Sequence, residues 1–231
     1  IRQKTAFTAI PVGTGSDLVR SLGIPNRTDD ALQIAASGLS RKCDLGLATV
    51  TTEGGELSEV FVNAAGFGAN GEVAARTNRS SKRFGGTATF VSASLKTMMR
   101  YTPRPVSLSI EQPDGTVEWQ EELFSAFIAN GQYCGSGMLV GAGGSMQDGW
   151  LDVCLLGTSP LLRQIIDFRR LYDGTLHKAY GASKMVASCI VAKPTDGVPV
   201  PIELDGETRG CLPARFEVLP AALAIRGSWD R

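Results

Sequence analysis

Val106-Ser107-Leu108-Ser109-Ile110-Glu111-Gln112-Pro113-Asp114-Gly115-Thr116-Val117-Glu118-Trp119-Gln120 is the stretch that decides the fold class. Apolar and polar residues alternate on both sides of Pro113-Asp114-Gly115, and a period-two pattern broken by a turn predicts two antiparallel strands joined as a hairpin. Leu123 to Ala129 adds a third strand to the meander. The same texture extends upstream: Leu45 to Thr51, the turn Glu53-Gly54-Gly55-Glu56, then Val60 to Asn63 running into Ala65-Gly66-Phe67-Gly68. Downstream, Trp150 to Leu156, Lys184 to Ala192, Val200 to Leu204, Arg215 to Val218 and Leu223 to Ile225 read as further strands. Two helices interrupt them. Gly86 to Met99 has the apolar spacing of one helix face, and Pro160 to Tyr172 is amphipathic with Pro160 suited to the first turn. The expected class is α+β, with a large antiparallel, β-rich, sandwich-like domain over residues 43–224 and a few helices.

The first 42 residues have a different texture. Thr8 to Val12 reads as a strand ending in Gly13-Thr14-Gly15, followed by a helix Asp17 to Leu22 with Ser16 as N-cap and Gly23 closing it. A second helix fits Asp29 to Ser37, capped by Thr28 and stopped by Gly38. This is a piece of an α/β layer, and one strand-turn-helix cannot bury both faces of a sheet. Residues 1–42 are therefore expected to be the remnant of an α/β domain, with about 225–231 returning to it, in a chain that begins in mid-domain.

Composition narrows the function. The 231 residues carry 23 Lys+Arg against 23 Asp+Glu, and 43% are hydrophobic, which argues against disorder and against a nucleic-acid-binding surface. Gly is over-used at 27 residues, roughly 12% against a usual ~7%, so many backbone positions need unusual φ or close approach. Cys43, Cys134, Cys154, Cys189 and Cys211 form no C-x-x-C pair, and His177 is the single histidine, so zinc spacing is absent and reduced thiols are expected. No apolar run is long enough to span a bilayer and the start has no signal-peptide core, so a soluble cytoplasmic protein is expected.

Four short stretches could carry chemistry. Pro11-Val12-Gly13-Thr14-Gly15-Ser16-Asp17 lets backbone approach a ligand just before a helix N-terminus, an arrangement suited to phosphate, although a plain strand-to-helix turn explains it equally well. Asn130-Gly131-Gln132-Tyr133-Cys134-Gly135-Ser136-Gly137-Met138 follows a buried strand and is either a mobile loop or one shaped around a substrate. In Ser145-Met146-Gln147-Asp148-Gly149-Trp150, Asp148 and nearby carbonyls could hold a hard cation, or form a hairpin turn only. Ile202-Glu203-Leu204-Asp205-Gly206-Glu207 offers a carboxylate at a strand end that could accept a proton from a hydroxyl. Asp44, Asn63 and His177 are read as having no functional role.

Taken together and in this order, the motifs are far more specific than any one of them. Pro-x-Gly-Thr-Gly-x-Asp-Leu-x-Arg, Phe-x-Asn-x-x-Gly-x-Gly, Asn-Gly-x-Tyr-x-Gly-x-Gly-Met, Asp-Gly-x-Leu-Asp-Val and the late Asp-Gly-Glu resemble the diacylglycerol kinase catalytic family, including bacterial lipid kinases and sphingosine kinases, from Thr8 to about Ile225. The resemblance implies transfer of the γ-phosphate of ATP to a lipid hydroxyl with Mg2+, by an α/β nucleotide-binding domain and a larger β-rich domain with the active site between them. It implies nucleotide contact at Thr14 with Gly13 and Gly15. It also implies Mg2+ ligation at Ser145, Asp148 and Trp150, with backbone oxygens at Ser145 and Trp150, and proton acceptance by Glu207. Such chemistry asks little covalent help of the protein.

Two departures stand out. Ser16 replaces the family's usual Asn, and the Gly-Gly-Asp-Gly-Thr signature that cradles the ATP phosphates is not in this sequence. The expectation is accordingly a fragment of a lipid kinase, inactive alone. The rivals are a non-catalytic lipid-binding or interaction module that reuses the β domain, and a NAD kinase, which the Asp-Gly-x-Leu-Asp-Val and Asp-Gly-Glu motifs fit less well. The implied partner is a lipid substrate at a membrane surface, with no nucleic acid; a homodimer is left open. Arg76, Arg79, Lys82, Arg83, Lys96, Arg100 and Arg104, interleaved with Phe84, Phe90, Met98, Met99 and Tyr101, form a basic region suited either to peripheral contact with anionic headgroups or to a solvated helix face.

Overall fold

The computed structural model of the chain describes residues 5–12, 15–79 and 86–229. The deciding stretch forms the predicted hairpin: β4 (Arg104–Gln112) and β5 (Gly115–Ala129) pair antiparallel in unbroken register from Arg104 opposite Leu123 to Gln112 opposite Gly115. Gly115 takes φ +126, which an L side chain rarely adopts, so glycine here sets the turn and with it the register. The remaining strands are β1 (Ser40–Thr52), β2 (Gly55–Phe61), β3 (Ala64–Gly68), the short pair β6 (Tyr133–Cys134) and β7 (Met138–Leu139), β8 (Leu151–Gly157), β9 (Ala182–Ala187), β10 (Cys189–Pro194), β11 (Pro201–Leu204) and β12 (Glu207–Arg226).

Ten of them form one sheet in which all strand pairings are antiparallel. Its order runs β10-β4-β5-β3-β11-β12-β1-β2, with β8 and β9 branching from β5. A further pairing of β10 with β12 closes six of these strands into a ring. Ring closure removes sheet edges and encloses a core of inward-facing apolar side chains. Phe61, Phe67, Leu108, Ile110, Leu123, Ile128, Ile190, Ile202 and Phe216 fill it, with Phe67 stacked on Phe216 at 6.3 Å between ring centroids. The last part of β5, Ser125 to Ala129, is paired on both sides by β3 and β8, which explains its near-continuous buried run.

Among the described residues five α-helices accompany the sheet: α1 (Asp17–Ser21), α2 (Thr28–Ser37), α3 (Ala69–Arg79), α4 (Gly86–Met98) and α5 (Leu161–Asp167), the last continuing into a 3-10 turn, Phe168–Leu171. Several local expectations are corrected. Residues 8–12 form no strand; the N-terminal segment contributes one parallel bridge, Phe7 to Ile225. Ser16 precedes α1 in a left-handed conformation (φ 51) and its side chain does not cap the helix. Thr28 is the first residue of α2, with Arg27 extended at the cap position. α3 was not expected at all.

Val19, Leu22 and Ile24 pack with Ala31, Cys43, Met146 and Ile225 in a second apolar cluster. The chain's end lies on this part: Ser228 N–H donates to Leu22 O (3.0 Å), and the Arg226 guanidinium donates to Ala35 O and Ala36 O at the C-terminus of α2, where cations are favoured.

Candidate functional site

The separate sequence motifs meet around two polar side chains that sequence reading dismissed. Asn63, in the link between β2 and β3, is 8% exposed. Its Oδ1 accepts from Ser21 Oγ of α1 at 3.0 Å, its Nδ2 donates to Tyr133 O, and its backbone carbonyl accepts the N–H groups of Asn130 and Gly131 at 2.9 and 2.7 Å. A Cβ on Gly131 would collide with Asn63 Oδ1 and approach Ser21 Oγ within 2.8 Å, so glycine is what lets this loop close on the hub. From the other side the Asp205 carboxylate accepts the N–H groups of Val62, Asn63 and Ala64 at 2.8–2.9 Å. Asp17 joins α1 to the loop after β6: its Oδ2 accepts Ser136 N–H at 2.8 Å while Oδ1 pairs with Arg20.

Asp44, 2% exposed, is the second hub. It accepts Gly149 N–H (2.8 Å) and Ala221 N–H (2.7 Å), its own N–H donates to Met146 O, and its carbonyl accepts from Asn130 Nδ2. A buried carboxylate is tolerated because charge-assisted bonds from N–H groups satisfy it. It fixes the 145–150 turn against β1 and β12.

Beside the first hub lies a cavity of 510 Å³. Asp17, Asn63, Cys134, Glu203 and Asp205 meet at one end; most of the remaining wall is apolar, formed by Val73 and Ala74 of α3, Met98 of α4, and Phe124, Phe127, Met138, Leu156, Phe168 and Leu171, with Asn70, Thr77, Ser94, Thr97 and Ser125 among them. The unexpected α3 makes this wall. A Cβ on Gly71 would meet the Pro201 carbonyl, and Asn70 bonds Ser125 Oγ and Ala126 O, so a close backbone approach and one amide clamp seat the helix on the sheet. Thr97 Oγ1 lines the cavity and has no hydrogen-bond partner among the described residues.

Burial shapes the electrostatics at the polar end. Desolvation pushes the Glu203 carboxyl up to about 8, against the opposing Gly206 N–H bond at 2.8 Å, and the nearby Asp205 charge pushes the same way. Asp17 is raised, again by desolvation, and the Cys134 thiol stays protonated because burial raises it well above its ordinary value. In sequence Glu203 is one member of an acidic motif with no role of its own, because the strand pattern alone does not show that its side chain faces a cavity.

The expected site residues fall as follows. Gly13 and Thr14 lie outside the described residues, and Gly15 directly precedes the left-handed Ser16 ahead of α1. Glu207 is the first residue of β12, one position beyond the Gly206 that lines the cavity; its side chain is 62% exposed, with Arg209 Nη1 3.9 Å away. Ser145, Asp148 and Trp150 share one turn. Asp148 Oδ1 accepts Trp150 N–H at 3.0 Å and Oδ2 makes no hydrogen bond among the described residues. One free carboxylate oxygen beside main-chain carbonyls on an exposed turn is an all-oxygen donor set compatible with a partly hydrated Mg2+. No cluster of three or more His, Cys, Asp or Glu side chains suited to a metal occurs among the described residues. Lys82, Arg83 and Phe84 of the basic region lie outside the described residues; Arg76 pairs with Glu72 and Arg104 with Asp196. All five cysteines are free. No helix among the described residues is long and apolar enough to cross a membrane.

Comparison with known proteins identifies the family and the fold. Residues 63–227 match the YegS C-terminal NAD kinase beta sandwich-like domain, and residues 1–48 match the diacylglycerol kinase catalytic domain. A relative in Pseudomonas putida named "Probable lipid kinase YegS-like" is 26% identical over 226 residues, covering 96% of this chain and 68% of the relative. "Probable lipid kinase YegS" of Escherichia coli is 24% identical over 221 residues, covering 96% and 68%. Two crystal structures from Bacillus anthracis share the fold. One aligns with a TM-score of 0.74 at 18% identity over 100% of this chain and 72% of the other. The second, titled a diacylglycerol kinase, aligns at 0.64 and 16% over 99% and 69%. With most of its length matched by the sandwich-like domain and its start by the catalytic domain, the chain belongs to the diacylglycerol kinase-like family.

Proposed function

We propose that this chain supplies the lipid-binding and proton-accepting half of an ATP-dependent lipid kinase. The carrying observation is the cavity: apolar over most of its wall and lined at one end by Asp17, Asn63, Glu203 and Asp205, it has the polarity of a lipid alcohol bound head-first. Its polar end adjoins α1, which follows the Gly13-Thr14-Gly15 segment that the resemblance assigns to the nucleotide. Bound ATP with Mg2+ would supply the phosphoryl group and neutralise its charge. Asn63 and Asp205 hold the backbone around the lipid head, the neutral Glu203 carboxyl can donate a hydrogen bond to it, and Glu207 at the adjoining strand end accepts the hydroxyl proton.

Filling the cavity tests this reading. Ala74→Phe projects a ring into the space between α3 and α4 and should reduce binding of dioctanoylglycerol roughly tenfold or more, since burial of acyl CH2 groups carries most of such an affinity. Unchanged affinity would place the lipid elsewhere. A lipid panel assayed with ATP, in a form of the protein that carries the Gly-Gly-Asp-Gly-Thr loop, then separates transfer from binding alone; binding without transfer identifies a lipid-binding module.

A structural Mg2+ at Asp148, with carbonyls of Ser145 and Trp150, would order the turn that Asp44 anchors from below. Mg2+ should therefore raise the melting temperature of the wild type and leave that of Asp148→Ala unmoved. Equal stabilisation of both would remove the ion from this turn.

A further inference from the structure

Sequence periodicity marks residues 160–172 as amphipathic, and the structure turns that helix inside out relative to the usual arrangement. No residue of α5 is buried. Leu161, Leu162, Ile165 and Ile166 are 46, 69, 53 and 48% exposed, whereas the polar Gln164 and Asp167 face inward and line a smaller cavity of 70 Å³. Asp167 is held there by Arg170 at 2.7 Å and by Tyr180 N–H at 3.0 Å, so the helix is fixed by its polar side. Spacings of one, four and five residues place the four aliphatic side chains in one outward stripe. The small cavity is also lined by Met98, the last residue of α4, whose neighbours Leu95 and Met99 are exposed apolar residues too.

Arg163, Arg169 and Lys178 are exposed on α5 and the turns after it, with exposed Asp173 near Arg169, and exposed Lys96 and Arg100 border Leu95 and Met99; none of the five cations closes an ion pair with a described residue. An apolar stripe in a segment with more exposed cations than exposed acids matches the boundary of an anionic bilayer, where aliphatic side chains enter the acyl region and cations meet headgroups. The two cavities share Met98, Phe124, Leu156, Phe168 and Leu171, so this surface adjoins an apolar wall of the proposed lipid site.

We propose that the outward face of α5, together with the last turn of α4, seats the protein on an anionic lipid bilayer and presents the apolar end of the cavity to it. The proposal rests on the reading of that cavity as a lipid site. It overlaps the basic region 76–104 expected from sequence only at the last turn of α4, because α5 lies outside that region and carries most of the apolar contact.

The test is sedimentation of the 231-residue chain with vesicles of phosphatidylcholine alone and of phosphatidylcholine with phosphatidylglycerol. Wild type should bind the anionic vesicles in a salt-sensitive manner, and Leu162→Glu/Ile165→Glu should weaken that binding roughly tenfold or more while leaving the melting temperature and dioctanoylglycerol binding unchanged. Arg163→Ser/Arg169→Ser should weaken it less and reduce its salt dependence. Three results would overturn the proposal: equal vesicle binding by wild type and the Leu162/Ile165 variant, no preference for anionic vesicles, or a wild-type dimer in lipid-free solution that the variant converts to monomer, which would assign the stripe to a second copy of this chain. Failure of wild type to bind dioctanoylglycerol overturns the lipid reading of the cavity instead, so the two failures are distinct.

Discussion

As pH rises from 4.5 to about 8, the wild-type chain is expected to lose stability that Glu203→Gln retains. In the unfolded chain the Glu203 carboxyl ionises near 4.5; in the folded protein burial holds its proton up to about 8. Between those values the folded state binds the extra proton, so stability is fully present below the unfolded pKa and declines until pH passes the folded one. At about 1.4 kcal/mol per pH unit the ceiling is roughly 4–5 kcal/mol, on the order of 10 °C in melting temperature for a chain of this size. Gln keeps an acceptor for Gly206 N–H and cannot ionise. Wild type and variant should melt together at the acid end and diverge at the alkaline end. Asp17 and Asp152 are raised by burial as well and slope the same way in both proteins, so the difference between the curves isolates Glu203. A difference independent of pH would show that Glu203 is ionised in the fold, and the neutral hydrogen-bond donor assigned to the lipid head would be lost with it.

What the sequence reveals depends on how local each cause is. β4 and β5 are legible because alternation and Pro113-Asp114-Gly115 are local and agree with the final pairing. α4 is legible for the same reason, its apolar period fitting Gly86–Met98. α3 is not, because Asn70-Gly71 resembles turn chemistry; what seats it on the sheet is the close approach of Gly71 to the Pro201 backbone, from a strand about 130 residues further on, with Asn70 bonded to β5. α5 is half legible: periodicity gives the helix and the stripe, and only the tertiary position of Asp167 shows that the stripe faces outward.

The site follows the same rule. The motifs announce themselves as glycine-rich or acidic turns, yet the residues that bring them together, Asn63 and Asp44, look like ordinary strand polars because their partners lie up to 177 positions away. Glu203 sits between Ile202 and Leu204 in a strand buried at all three positions, so alternation is silent on which face opens to a cavity.

The proton acceptor is where these lines meet, and Glu207→Gln, in a form of the protein that carries the phosphate-cradling loop, is expected to lower kcat by roughly 10²- to 10⁴-fold, the range of a general base. Two glutamates bracket the Asp205-Gly206 turn, in different surroundings. Glu203 lines the cavity but keeps its proton up to about 8, so near neutrality it has little carboxylate with which to take another. Glu207 stands in solvent at 62% exposure, one residue past the cavity wall, on a strand whose turn is pinned by three N–H bonds to Asp205 and by Asn78 Nδ2 to Gly206 O. That pinning matters more than usual, because phosphoryl transfer draws most of its acceleration from positioning and charge. KM for ATP should change little, since Glu207→Gln alters no residue of the Gly13-Thr14-Gly15 segment that the resemblance assigns to the nucleotide. Glu203→Gln should keep kcat within a few-fold, because the amide still donates a hydrogen bond to the lipid head. A reversed pattern, with Glu207→Gln near wild type and Glu203→Gln losing turnover, would make the buried carboxyl the base and require an activity profile rising toward pH 8.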